Sequence, residues 1–178
     1  MNRQGLPDRV VMGLPVLVCG DYPDGASLEA GHYYADGGNR FWDLLYDSGL
    51  TTEALGWEDD GVLPELGIGL TDLNKADAHG AGHVRLAALV RAGRPGCVAF
   101  NGRNVAEDFI RQAGTGRRVE MGLQDWGIAG ARVYVLPGSS GADTHTRLVG
   151  RDGLVLDRPG WWARLAEHLG RRSDGQRE

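Results

Sequence analysis

Three segments of the chain are apolar almost without interruption, and each stops at a turn former. Residues 14–19 (LPVLVC) end at Gly20, residues 96–100 (GCVAF) at Asn101-Gly102, and residues 131–136 (ARVYVL) at Pro137. Unbroken runs of this length predict strands buried on both faces. Between them the period changes to that of a helix. Asn39 is placed to cap a helix beginning near Arg40, with Phe41, Leu44, Leu45 and Ser48 inward and Gly49 as its stop. Residues 84–92 carry Leu86, Leu89 and Val90 at helical spacing. Residues 103–113 carry Val105, Ala106, Phe109 and Ile110, and residues 159–169 carry Trp161, Trp162, Leu165 and Leu169. Fainter signals predict a short helix over 51–57, a short strand or turn over 69–73, a turn or edge hairpin at 127–130, and a polar, glycine-rich loop over 21–38.

Strands that alternate with helices predict an α/β fold, a three-layer sandwich with a central, mostly parallel sheet. One domain over residues 1–170 is expected. The end of the chain, 171–178, lacks apolar anchors and is expected to fray. In such sheets ligands bind outside the carboxyl ends of the strands. That rule selects the loop after the first strand (20–38) and the loop after the late strand (137–144).

Composition narrows the chemistry. The chain has 178 residues, enough for one sizeable core, and a formal net charge of -5, which argues against a generally basic nucleic-acid coat but leaves room for a local phosphate site. No run approaches the roughly 18 apolar residues of a membrane span, and the N-terminal residues do not read as an export signal, so a cytoplasmic protein without membrane partners is expected. The two cysteines, Cys19 and Cys97, each sit at an apolar run and read as buried thiols rather than a metal or redox pair. No His/Cys/Asp cluster has ligand spacing, so neither metal nor other cofactor is expected. Neither a phosphate-loop Gly-Lys-Ser/Thr nor a Gly-x-Ser-x-Gly elbow is present, which weakens a nucleotide enzyme or an α/β hydrolase.

The two selected loops, read together, resemble a known family. VLVCGDYPDG (16–25) resembles the strand and Gly-x-Asn-Pro-Gly loop of the mismatch-specific uracil-DNA and thymine-DNA glycosylases, a branch of the uracil-DNA glycosylase superfamily. YYADGGNRFWDLLYDSGL (33–50) resembles their aromatic loop with Asn-Arg-Phe-Trp and its helix, and VYVLPGSSGAD (133–143) their second strand-end loop. Weaker similarity runs through GIGLTDL (67–73) and VAFNGRNVAEDF (98–109). The resemblance covers roughly residues 12–170. It implies a monomeric, monofunctional enzyme that flips uracil or a related deaminated base out of DNA and hydrolyses its N-glycosidic bond.

Site roles follow from that resemblance. Tyr34 falls where an aromatic stacks under the flipped base, with Tyr33 as an adjacent competitor. Tyr22 stands where the family has the water-placing asparagine. A tyrosine is a poor base there, so Asp21 beside it and Asp72 further on are the candidate water-activating carboxylates. Asp77 and His79 are weaker candidates, and His32 reads as an ordinary loop histidine. Gly20, Asn39, Gly138, Ser139 and Ser140 are expected around the base, Gly138 in place of a family asparagine. Gly141, Ala142 and Arg147 are expected toward the DNA, Ala142 where a leucine wedge is found and next to Asp143. Arg40, Arg103, Arg117, Arg118 and Arg151 are either phosphate contacts or surface ion pairs. Lys75, the only lysine, shows no activating partner in the sequence. The altered loops also allow a second reading, a nucleic-acid-binding protein that kept the fold and lost excision.

Overall fold

A computed structural model describes residues 5–75, 80–141 and 145–171. The apolar runs become the inner strands of a five-stranded sheet. β1 (Val16–Gly20), β2 (Ile68–Asp72) and β3 (Cys97–Asn101) are buried at every position, as residues covered by helices on both faces must be. β4 (Gly122–Ile128) alternates buried and exposed residues, the signature of an edge, and β5 (Ala131–Leu136) is buried except at Arg132. The strand order is β2-β1-β3-β5-β4, parallel except for the antiparallel β5–β4 edge. Residues 127–130 thus form the predicted hairpin, and its first strand extends back to Gly122.

Helices cover both faces. α1 spans Gly25–Ala30, α2 Phe41–Asp47, α3 Gly82–Gly93, α4 Arg103–Ala113 and α5 Arg158–His168. α3 packs on α4, and α2 packs on α5, which also lies against β4 and β5. Phe41, Leu44, Leu45 and Ser48 of the α2 segment are all buried, as are Trp161, Trp162 and Leu165 of α5. A two-stranded ribbon, β6 (Leu148–Val149) and β7 (Val155–Leu156), precedes α5. Cys19 and Cys97 are buried free thiols, and burial pushes the Cys97 thiol up to about 12.

Two expectations are corrected. Residues 51–57 do not form a helix; a 3-10 helix begins only at Trp57 and runs to Leu66. Pro64 lies inside that segment and cannot supply an N–H to an α-helical ladder. The loop over 21–38 is not wholly irregular. It contains α1, whose first turn is closed by Asp24: its Oδ1 accepts from the Ser27 N–H at 2.8 Å, and its Oδ2 accepts from the Ser27 hydroxyl at 3.1 Å.

The topology fixes where a ligand site belongs. From β1 the chain goes outward to β2, then returns to place β3 on the other side of β1. The order therefore reverses between β1 and β3, and the crevice outside their carboxyl ends, at Gly20 and Asn101, is the switch point.

Candidate active site

A cavity of about 260 Å³ opens at that switch point, lined at its base by Gly20, Asp72 and Asn101. The volume is small beside the roughly 300–1,000 Å³ of drug-sized ligand pockets and suits a single-ring base better than a nucleotide. A larger cavity of about 630 Å³ lies among β4, β5 and α5, but it is away from the carboxyl ends of β1 and β3 and shares no residue with the switch point.

The first-strand loop contributes a backbone that comes close to its neighbours. A Cβ on Gly20 would stand 2.7 Å from Asp72 Oδ1 and 3.0 Å from the Tyr34 hydroxyl, so only glycine leaves these groups in place. Beyond the strand end the pairing of β1 with β2 continues, with Leu73 N–H on the Gly20 carbonyl (2.8 Å) and Asn74 N–H on that of Asp21 (2.9 Å). Asn74 Nδ2 then donates to Asp21 Oδ1 at 2.6 Å and to Asp108 Oδ2 at 3.0 Å. Asp21 is accordingly an exposed carboxylate at the rim. The Tyr22 ring is 41 % exposed and lies at the mouth near Gly5, so the cavity behind it stays open.

Asp72 is different. Its side chain is almost wholly buried, and its Oδ2 has no hydrogen-bond partner among the described residues. Burial is the main reason its carboxyl is pushed up to about 7, with Asp8 and Asp21 adding to the rise and Lys75 and Arg85 opposing it. A carboxylate in this state is poised near neutrality, where a general base works best.

Tyr34 is held in a conformation that a non-glycine residue rarely adopts, with φ of 55°. The strain, on the order of 1–3 kcal/mol, is offset by contacts on every side. Trp42 Nε1 donates to the Tyr34 carbonyl (3.2 Å), Ala35 N–H to Ser27 Oγ (3.0 Å), and Tyr33 N–H to Asp60 Oδ2 (2.9 Å). The Tyr34 ring stacks on Phe41 with centroids 3.9 Å apart, so only its other face is available to a base. Its hydroxyl is buried with no hydrogen-bond partner among the described residues, and burial with the nearby Asp72 charge holds it far above the usual phenol range, Asn101 opposing the rise. Tyr33, the competitor, is a core residue whose hydroxyl meets Lys75. His32 lies 2.9 Å from the buried Asp60.

The late-strand loop is fixed by β3, α2 and α5. Asn101 Oδ1 accepts from Ser139 N–H (2.9 Å), and Asn101 Nδ2 donates to Ser139 Oγ (2.8 Å). The Ser139 carbonyl accepts from Arg40 N–H at 2.9 Å. The buried Arg158 donates from Nη1 to the carbonyls of Gly138, Ser140 and Gly141, and Trp162 Nε1 donates to that of Pro137. Gly138, Ser139 and Ser140 therefore face the cavity with Asn39, whose Oδ1 accepts from Phe41 N–H at the start of α2. The N-cap of α2 is Arg40, which makes no side-chain cap bond, so the cap expected at Asn39 is not formed; Asn39 bonds only the first helical N–H.

Of the sequence candidates, the fold brings Gly20, Asp21, Tyr22, Tyr34, Asn39, Asp72, Gly138, Ser139 and Ser140 to one cavity. Gly141, with φ of 82°, is not among the residues lining it, and Arg147 lies apart, donating to the Val155 carbonyl at 2.8 Å. Asp77, His79, Ala142 and Asp143 lie outside the described residues. Sequence reading missed Asn101, taken only as a strand end, and Asp60 and Arg158, which hold the two loops. Asn101-Gly102 directly after a buried strand was the signal that could have found the first; the other two become visible only through contacts distant in sequence.

Among the described residues no group of three or more His, Cys, Asp or Glu could hold a metal ion. The uracil DNA glycosylase superfamily profile matches residues 7–155. In fold, the chain is similar to a solution structure from Methanosarcina acetivorans described as a candidate uracil DNA glycosylase: TM-score 0.61 and 22 % identity over 94 % of this chain and 98 % of that one. A parallel sheet with its switch-point cavity between these loops, and a family match over most of its length, lead to one conclusion: this chain belongs to the uracil DNA glycosylase superfamily.

Proposed function

We propose that the protein is a monofunctional DNA glycosylase that removes uracil or a related deaminated base from DNA, of the kind found in the mismatch-specific branch, with Asp72 as the water-activating group. The observation that carries this reading is a buried carboxylate with one unpartnered oxygen at a cavity of single-ring size. Water placed by Asp72 attacks C1′ of the sugar as the glycosidic bond breaks. The proton passes to the carboxylate, and the negative charge developing on the departing base is met by carboxamide and backbone donors at Asn39, Asn101 and the 138–140 loop. The free face of Tyr34 stacks on the extruded base, a contact of about 1–3 kcal/mol. Asp21 is exposed and engaged by Asn74, which favours Asp72 over it. Lys75 is occupied by neighbouring acceptors, which disfavours a Schiff-base lyase.

Single-turnover excision from uracil-containing single strands and U·G duplexes tests this. Asp72→Asn is expected to reduce the rate by about 10²–10⁴-fold, the usual range for a lost general base. Asp21→Asn is expected to reduce it by less than tenfold. Tight binding by the wild-type protein with no abasic product would select the binding-only reading instead.

A further inference from the structure

Asp72 does not stand alone at the cavity floor. Behind it, the N-terminal lead-in, the end of β2 and the start of α3 converge on Asp8. Thr71 Oγ1 donates to Asp8 Oδ1 at 2.6 Å, and Arg85 donates from Nη1 to Asp8 Oδ2 at 3.0 Å. Arg85 Nη2 also donates to Thr71 Oγ1 and to the Asp72 carbonyl. Lys75 Nζ lies 3.2 Å from Asp8 Oδ1, donates to the Leu6 carbonyl at 2.5 Å and to the Tyr33 hydroxyl at 3.4 Å, and stands 3.9 Å from Asp72 Oδ2. Its side chain is only 12 % exposed.

We propose that Lys75, pinned by Asp8, Leu6 and Tyr33, is a positioning residue that orients the Asp72 carboxylate toward the cavity and supplies the charge opposite it. This rests on the assignment of Asp72 made above. An unpaired carboxylate at this depth would give up its charge and keep its proton. At 3.9 Å the ammonium is too far to occupy Oδ2 with a hydrogen bond, yet near enough for strong attraction in a buried setting. The oxygen is thereby left without a hydrogen bond while its charge is supported. Arg85 adds a second positive charge, but its guanidinium is spent on Asp8, Thr71 and the Asp72 backbone. Asp8 and Asp21 oppose ionisation, and Cys19, Tyr33 and Tyr34 surround the carboxylate as neutral buried groups. Asp8 has two effects: its charge disfavours a second carboxylate, and its hydrogen-bonding grip keeps Lys75 in place.

The test is a carbon-13 NMR titration of the Asp72 carboxyl in the full chain, with the pH profile of single-turnover excision beside it. Lys75→Met is expected to raise the Asp72 midpoint by about one unit or more, the usual effect of losing an opposite charge at this range. The alkaline shift should appear equally in the excision profile. Lys75→Arg is expected to restore the wild-type midpoint to within a few tenths, and Asp8→Asn to lower it. An unmoved midpoint in Lys75→Met, or a midpoint in Lys75→Arg as high as that in Lys75→Met, would overturn the proposal, the latter by pointing to loosened packing alone. Lys75→Gln replaces Lys75→Met should the latter not fold. The carboxyl titration reads the coupling of Lys75 to Asp72 even if the wild-type protein excises nothing, a result that would remove the glycosylase reading and leave only that coupling.

Discussion

At the scale of single residues, the proposed mechanism makes the buried Asp72 couple activity to stability with opposite signs. Its carboxyl has an ordinary value near 3.8 when exposed and is raised to about 7 in the fold. Between those values the folded chain holds a proton that the unfolded chain has released. Stability therefore falls as pH rises through this window and is lowest once Asp72 is ionised above it. In the proposed mechanism excision needs the ionised form, so its single-turnover rate is expected to climb through about pH 7 and level off above. A rate flat from pH 5 to 9 would remove Asp72 as the base. Asp72→Asn is expected to gain on the order of 1–3 kcal/mol of stability at pH 8 while losing activity, measurable by denaturant unfolding. Gly20→Ala probes the same spot sterically. The added methyl would collide with Asp72 Oδ1 and press on the Tyr34 hydroxyl, and excision is expected to fall at least tenfold with the fold retained by circular dichroism.

At the scale of elements, the two strand-end loops are held by groups from elsewhere in the chain. Arg158, in the first turn of α5, fastens three carbonyls of the 138–141 loop while itself buried. Removing a buried charged donor leaves its acceptors unsatisfied, so Arg158→Ala is expected to cost on the order of 3 kcal/mol in urea unfolding and to accelerate amide exchange at Ser139. Unchanged exchange there would show that Asn101, Arg40 and Trp162 hold the loop without Arg158. The strands and long helices were legible in the sequence because continuous apolar runs and 3.6-residue spacing are local patterns. α1 was not, since GASLEA in a glycine-rich stretch has no apolar stripe and depends on the Asp24 cap. The expected helix over 51–57 failed because its few apolar residues are taken by the core individually: Leu55 and Trp57 pack against it from irregular backbone and a 3-10 turn.

At the scale of the molecule, an acidic chain carries a concentrated basic groove. Arg103, Arg111, Arg117 and Arg118 line it with Glu107 as the one acidic residue, and it adjoins Asn104 and Val105 at the cavity. Arg103, Arg111 and Arg118 pair with neighbouring carboxylates, weak exposed contacts that phosphate can replace. The double variant Arg117→Ala/Arg118→Ala is expected to weaken binding of a uracil-containing single strand and to reduce the slope of log affinity against log salt by about 1.4. An unchanged slope would route the strand elsewhere on the surface.

The sequence by itself determined the layered α/β architecture, the parallel core and the two loops at its carboxyl edge, because burial on both faces writes continuous apolar strands and helices write a stripe. It also named most residues of the cavity, through motif order rather than through chemistry. Only the tertiary structure separated Asp72 from Asp21. Both are aspartates at a strand end, and their difference is one of solvation: one rests at the rim against Asn74, the other is enclosed behind Gly20 and Tyr34. Solvation is a property of what surrounds a group in space. For Asp72 those surroundings come from Asp8, Lys75 and Arg85, which no local pattern in the chain brings together.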